Sequence, residues 1–381
     1  MKIIQVVHAF PPDVGGIEAH VYNLSKEMAR MGHTVTVVTT KTQGAKSSET
    51  IDGIKVIRYW AFSLPVFSSV RFIPFLPLRL AMMDAEVYHS HGYGSTQPFF
   101  TSLAAFITRR PFIFTVHGYP KLRGLAGLFK WFYTNFPARA FLRIARRVIT
   151  VAEATIQEIE SEIPKTKITT IPNGVDFVRF TRRTPLSMLR TNTIAYIGRF
   201  DAYKGIDTLV RAFAITKKKC PDSELKIIGR DEGIADSLNG LASGLGVEIN
   251  FSEARPDEMH NIYDSLSLVV LPSKYEGLSL VLLETIASGR PMLSTPVGAA
   301  PKLFEEIYTE DAPKFLFDID NHYELAGKIL NVLEKKKEFE AICHRAREEL
   351  KKKYSWELAA EKTLKVYYEA LGKKETAKDE R

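Results

Sequence analysis

The chain has 381 residues, 45% of them hydrophobic and 25% charged, a composition that excludes disordered and fibrous classes and fits about two domains. Its two cysteines, Cys220 and Cys343, are far apart, and no Cys/His spacing in the sequence resembles a zinc site; a disulfide framework and a zinc finger are excluded, and reduced core thiols are expected. The formal charge is +8, and residues 1–172 carry 20 Lys and Arg against 11 Asp and Glu, so the net positive charge lies in the N-terminal half.

KIIQVVH (2–8) reads as a buried strand, because its apolar run stops at His8 and no small-residue cleavage site follows. After the Pro/Gly loop FPPDVGG, residues Ile17, Val21, Leu24, Met28 and Met31 recur at helical spacing, with Gly32 as the stop. TVTVVTT, IKVIRYW, EVYHSH, FIFTVHG and RVITVAE then read as short apolar strands, the pattern of a parallel sheet covered by helices on both faces. VRFIPFLPLRLAMM is interrupted by Arg71, Pro74, Pro77 and Arg79, and no stretch is long and apolar enough to span a membrane. Between Glu86 and Glu153 there is no acidic residue, while nine Lys and Arg fall in that interval.

The pattern restarts after IPNGVD (171–176) with IAYIG, ELKIIG, VEINF, LVVLPS and PMLST as strands. A boundary near 173–192 is expected between two doubly wound α/β domains. SWELAAEKTLKVYYEAL (355–371) is an amphipathic helix, and the polar tail 372–381 is expected to fray.

In open α/β sheets ligands bind beyond the carboxyl ends of the strands, which directs attention to three loops. Gly15 and Gly16 follow the first strand and precede a helix N-terminus, which permits close approach of an anion; the plain alternative is a turn. Neither GxGxxG nor GxxxxGK[ST] occurs, which argues against a dinucleotide dehydrogenase and a P-loop NTPase. Arg199 and Lys204 follow IAYIG, just before a helix near Ile206, a cation pair suited to a diphosphate; as an isolated pair they would be solvated loop charges. YEGLSLVLLE (275–284) places Glu276 in a turn, Gly277, Leu278 and Ser279 at a helix start that forms an anion site, and Glu284 eight residues on. If the spacing is counted at 3.6 residues per turn, the two carboxylates point to broadly one side, where each can accept hydrogen bonds from ribose or hexose hydroxyls. The segment between them is too apolar for a solvated face.

These motifs together resemble glycosyltransferase family four, retaining enzymes of the GT-B fold with an E-x7-E signature. FPPDVGGIEAHVYNLSKEMARMGHTVTVVT, TVHGYP, IPNGVD, YIGRFDAYKGIDTLVRAF, IIGRDEG and YEGLSLVLLETIASGRPMLSTPVGAAP have family counterparts in this order, and the match runs nearly end to end. The resemblance implies two Rossmann-like domains facing a cleft. Residues 1–172 would form the acceptor-side domain, joined by the crossing-back helix 355–371; residues 173–354 would bind the nucleotide sugar. It implies that Arg199 and Lys204 neutralise the leaving diphosphate, that Glu284 holds the ribose, that Glu276 contacts the transferred sugar and that Gly16, beside Gly15, approaches the phosphates. His117, by itself an ordinary loop histidine, would stabilise the transition state. His89 and His91 would lie on the acceptor side with Tyr119. PVGAAPKLF departs from the family, which more often has a second Gly and an acidic residue after the Pro.

The implied reaction is hexosyl transfer with retention from a UDP-, GDP- or ADP-linked sugar to a hydroxyl acceptor. No cofactor and no metal are expected. The basic, aromatic stretch 121–147 suggests a phospholipid or polyprenyl-linked acceptor at a membrane surface, with a core helix of basic exterior as the alternative. No nucleic-acid-binding motif appears. The expected location is cytoplasmic, extending to the inner face of the membrane. An epimerase acting on nucleotide sugars and a non-catalytic sugar-nucleotide binder are the alternatives.

Overall fold

The computed structural model describes residues 1–13, 15–64, 67–118, 134–159, 163–181 and 184–373. The chain divides into two compact units: residues 1–173 with 356–381, and residues 174–355.

Unit 1 is built on strands β1 (Lys2–Val6), β2 (Thr34–Thr40), β3 (Ser48–Ile51), β4 (Ile54–Tyr59), β7 (Val87–His91), β8 (Phe112–Val116), β9 (Arg147–Thr150) and β10 (Ile168–Thr170), in the sheet order β10-β9-β8-β7-β1-β2-β4-β3. Every pairing is parallel except β3 with β4. A separate hairpin joins β5 (Phe62–Leu64) to β6 (Phe67–Phe72). The inner strands are largely buried because helices cover both faces; β7 and β8 are buried along their whole length, although β7 includes His89, Ser90 and His91. The topological switch lies at β1, whose neighbours are β2 and β7.

Helix α1 (Gly16–Arg30) follows β1 and buries Val21, Leu24 and Met28 on one side. The last helix of the chain, Trp356–Leu371, packs against α1. It therefore belongs to the unit built by the first 173 residues, from which the 182 residues of unit 2 separate it along the chain. Its inward residues include Trp356, Leu364 and Tyr367.

Unit 2 has a five-stranded, all-parallel sheet of β11 (Asn192–Ile197), β12 (Ser223–Ile228), β13 (Asn250–Ser252), β14 (Leu268–Leu271) and β15 (Met292–Ser294), in the order β13-β12-β11-β14-β15. Its switch point lies at β11, between β12 and β14. Three helices of this unit position the site: α2 (Ile206–Lys219), α3 (Met259–Ser265) and α4 (Leu280–Ala287). In chain order the last helix of unit 1 is then α5.

Several features depart from the sequence reading. The strand expected over 247–251 sits at Asn250–Ser252. β3, β10 and the β5/β6 hairpin were not expected from the pattern. β3 is a half-exposed edge strand of sequence SETI, and β10 has three residues, so neither carries the apolar run that marks a buried strand.

Candidate functional site

In unit 2 the polar residues gather where the switch-point strands end. β11 ends at Ile197, and the following loop carries Arg199 and Lys204 before α2 begins at Ile206. β14 ends at Leu271, and the following turn carries Ser273 and Glu276 before α4 begins at Leu280. The two loops lie against each other because of Gly205. Its φ of +61° is left-handed, and a Cβ there would stand 2.1 Å from the Pro272 carbonyl oxygen, so only glycine fits. The Lys274 N–H donates to the Tyr203 carbonyl at 2.9 Å across the same junction. As a result Lys204 Nζ donates to Glu276 Oε1 at 2.7 Å, and Ser273 Oγ donates to the same oxygen at 2.8 Å. Lys204 and Glu276 are each about four-fifths buried, where an ion pair is screened less than at the surface.

Arg199 is placed differently. It is 59% exposed, and its Nη1 stands 3.7 Å from Glu232 Oε1, which Arg230 holds more closely at 2.6 Å. An exposed pair of this kind is worth about 0–1 kcal/mol, so Arg199 is readily released to an anionic ligand.

Ser279 is the N-cap residue of α4, in an extended conformation, and the first N–H groups of a helix have no partner within it. Gly277, Leu278 and Ser279 line a small pocket with Glu276, Val297 and Ala300. Glu276 therefore lies in the turn and not on the helix, so the helical count from Glu276 to Glu284 does not apply over its first four residues. The turn, and not periodicity, sets the direction of Glu276. Glu284, one turn into α4, accepts a hydrogen bond from the Tyr263 hydroxyl of α3 at 2.9 Å. Burial pushes the Glu284 carboxyl up to about 7, against the opposing pull of Tyr263 and of the Arg179 charge.

In unit 1 the register of the sheet brings Gln5 of β1 beside His89 of β7 and places His91 beside Thr115 of β8. Residues two apart on a strand share a face, so His89 and His91 point the same way. His89 Nε2 lies 2.7 Å from Thr115 Oγ1 and its Nδ1 lies 2.5 Å from the Tyr367 hydroxyl of α5. Gln5 Nε2 donates to the same hydroxyl at 3.1 Å, and Gln5 Oε1 lies 2.6 Å from His91 Nε2. His91 Nδ1 is 3.3 Å from His117 Nε2. His20 of α1 sits edge-on to His117 and to Trp356, with ring centroids 4.5 and 5.4 Å apart. Burial is the first cause that lowers all four histidines, His20 to about 4 and His89, His91 and His117 well below their ordinary value. At neutral pH the group is uncharged.

His89 corrects the sequence reading. It is fully buried and both ring nitrogens are engaged, so it offers nothing to an acceptor and holds the sheet to α5 instead. His91 is also fully buried and faces Gln5 and His117. Gly15 is the extended N-cap residue of α1 and Gly16 its first residue; a Cβ on Gly16 meets no protein atom within 4 Å. Protein sterics alone do not require glycine at that position. Tyr119 and residues 121–133 of the basic stretch lie outside the described residues. Among the described residues, no helix is long and apolar enough to cross a membrane.

Sequence reasoning did not single out Gln5, His20, Asn173, Tyr263, Ser273 or Tyr367. Most of their partners are distant in sequence, as in the 362-residue separation of Gln5 and Tyr367, although Ser273 bonds Glu276 only three residues away. All but Tyr263 lie in quoted segments, none of them with a site role assigned; Asn173, in IPNGVD, places its Oδ1 2.8 Å from His20 Nδ1.

A family model described as Glycosyltransferase Family 4 matches residues 14–179, and one described as Glycosyl transferases group 1 matches residues 191–335. An uncharacterized glycosyltransferase of Methanocaldococcus jannaschii is 26% identical over 97% of this chain and 99% of its own. A D-inositol 3-phosphate glycosyltransferase of Corynebacterium aurimucosum is 27% identical over 76% of each chain. Among solved structures, HepE from Anabaena in complex with UDP-glucose superposes with a TM-score of 0.74 at 18% identity, over 96% of this chain and 100% of its own. That likeness is one of fold.

Proposed function

The chain belongs to glycosyltransferase family 4, with the two Rossmann-like domains of the GT-B fold, and from that premise we propose that it moves a hexosyl group, with retention, from a nucleoside diphosphate sugar to a hydroxyl acceptor. The observation that carries the proposal is the meeting of Lys204 and Glu276 at the switch point of unit 2, immediately before the N-terminus of α4 and one turn from Glu284. Two cations, a helix start and two carboxylates are the groups that a diphosphate flanked by two polyols requires.

In this reading Lys204 and Arg199 stabilise the charge that develops on the departing diphosphate, together with the first N–H groups of α4. Glu284 accepts hydrogen bonds from the ribose. Glu276, relieved of part of its bond to Lys204 when the phosphate arrives, turns to the hydroxyls of the sugar. None of these carboxylates is assigned as a covalent nucleophile. The acceptor hydroxyl attacks on the face the phosphate leaves, and a phosphate oxygen takes its proton. Gly16 admits the donor phosphate close to the backbone of α1, and His117 keeps the role that the family implies, stabilising the transition state. The relative that binds UDP-glucose supports a uridine donor as the first to try.

The acceptor is a hydroxyl compound. The acid-free interval between Glu86 and Glu153 supports a lipid-linked or membrane-surface acceptor; vesicle sedimentation that ignores anionic lipid content removes that reading.

The decisive experiment is calorimetric titration of UDP, GDP and ADP, each alone and as its sugar conjugate, into wild type and Glu284→Ala. One nucleotide is expected to bind selectively, with affinity reduced about tenfold or more by the substitution, since a hydrogen bond to a charged group contributes ~1.5–3 kcal/mol. Equal or absent binding in both proteins would make the two glutamates structural. Binding without turnover of any conjugate would favour the non-catalytic binder.

A further inference from the structure

His20, His91 and His117 come from α1, β7 and the loop after β8, and one ring nitrogen from each lies within 4.8 Å of the other two. The proposed reaction uses His117 but does not require the other two beside it. The hydrogen bonds around them fix where the lone pairs are. Gln5 Nε2 donates to the Tyr367 hydroxyl, so its Oε1 takes the Nε2–H of His91 at 2.6 Å. The lone pair on His91 Nδ1 is then turned toward His117 Nε2, 3.3 Å away. Asn173 Oδ1 takes the Nδ1–H of His20 at 2.8 Å. The other nitrogen of His20, Nε2, is buried with no hydrogen-bond partner among the described residues, on a residue only 4% exposed. Leaving such an acceptor unsatisfied destabilises the folded unit, a cost that a ligand would remove.

The donor set suits one class of ligand. Three neutral imidazoles are soft-to-borderline nitrogen donors. Two of them present a lone pair to the cluster while their second nitrogen donates to an amide oxygen, which is the arrangement that orients imidazoles on a metal. Two nitrogens at ~2.0–2.1 Å from one tetrahedral zinc ion stand about 3.3 Å apart, which matches the spacing of His91 and His117. Burial keeps the rings neutral, so no proton has to leave before a metal binds.

We propose that His20, His91 and His117 form a binding site for a divalent transition metal ion of the zinc class, and that an ion bound there inhibits glycosyl transfer by taking the His117 nitrogen. The inhibitory half rests on the catalytic reading of His117; the binding half does not. Binding moves one proton within His117, from Nε2 to Nδ1, and releases none. Three protein ligands leave a fourth position for water. The ion is not part of the reaction proposed above, which proceeds without it.

The test uses untagged full-length protein. Co²⁺ alone is titrated into wild type, His20→Gln and His91→Gln, reading the visible absorption of tetrahedral cobalt, and the wild-type protein carrying one equivalent of Zn²⁺ is examined by X-ray absorption. The expected result is one equivalent of tetrahedral cobalt, displaced by zinc and held at least tenfold more weakly by each variant, with three nitrogen ligands at ~2.0–2.1 Å around zinc. Glycosyl transfer is expected to fall with one equivalent of zinc and to recover with a chelator. Six-coordinate, oxygen-rich cobalt or zinc, or cobalt binding unchanged in both variants, overturns the site. Should either variant fail to fold, the wild-type X-ray absorption decides the matter by itself. Tetrahedral binding with an unchanged transfer rate overturns the inhibitory half and the role of His117, and leaves the metal site and the Glu284 titration standing.

Discussion

Glu284 is held between two opposing influences. Burial raises its pKa to about 7, and the Tyr263 hydroxyl at 2.9 Å favours the ionised form. A ribose hydroxyl is better accepted by the carboxylate than by the acid. Nucleotide affinity is therefore expected to rise with pH up to and through about 7. Tyr263→Phe removes a hydrogen bond to the charged form, so the rise should move to higher pH and affinity at neutral pH should fall about fivefold, for a bond worth ~1 kcal/mol. Titrations on both sides of neutrality check this; a flat profile in both proteins rejects any role for the ionised Glu284. The positions of Arg199, Lys204, Glu276 and Glu284 were legible because each lies just past a strand or in the helix that follows one. The hydrogen-bond partners Tyr263 and Ser273 were not. A Tyr in a short helix and a Ser at a strand end are ordinary residues until the sheet closes.

Among the elements, the turn that carries Glu276 depends on the loop after β15. Gly298 has φ of +58°, and a Cβ there would stand 2.4 Å from the carbonyl oxygens of both Glu276 and Gly277. The Ala299 N–H donates to the Gly277 carbonyl at 2.9 Å. The loop thus presses on the turn, with glycine as the only residue thin enough. Gly298→Ala is expected to cost about 2–4 kcal/mol, from left-handed strain and overpacking together, and to lower kcat/KM by at least tenfold as Glu276 shifts away from Lys204. Urea unfolding and steady-state kinetics on one preparation check it; a variant with wild-type values of both would show that the loop does not hold the turn. Helix periodicity was a poor guide here. It placed α4 almost correctly, but Glu276 lies in a turn, where 3.6 residues per turn has no meaning.

At the scale of the whole molecule, the buried histidines of unit 1 and Glu284 of unit 2 are expected to respond to acid in opposite directions. His20, His89, His91 and His117 of unit 1 have folded pKa values below the ordinary 6.5. Above about 6.5 both folded and unfolded forms are neutral, and these groups contribute nothing to pH dependence. Below it the unfolded chain takes up protons that the folded unit refuses, so stability falls as the pH drops, until each folded pKa is passed. Glu284 in unit 2 has a raised folded pKa, so the stability it contributes is complete below about 4.5 and is lost as pH rises through about 7. Acidification from pH 7 to about 5.5 is expected to weaken unit 1 while unit 2 gains from Glu284. Hydrogen exchange followed separately in β1, β7 and β8 and in β11, β12 and β14 checks this; equal loss in both sets would mean that the histidines are not buried as a neutral group.

Alternating apolar strands and amphipathic helices, with a restart near residue 173, determined two parallel α/β units without reference to any contact, because buried strands and one-sided helices leave their period in the sequence. The loops after the strands followed, since this architecture always presents those ends to a ligand. What the tertiary structure decided was convergence. α5 returns to unit 1 and brings Tyr367 to Gln5 and His89. α1, β7 and the loop after β8 bring three histidines, 71 and 26 residues apart along the chain, to within 4.8 Å. No local pattern encodes such meetings. They arise from sheet register and helix packing, which depend on every residue of the core at once.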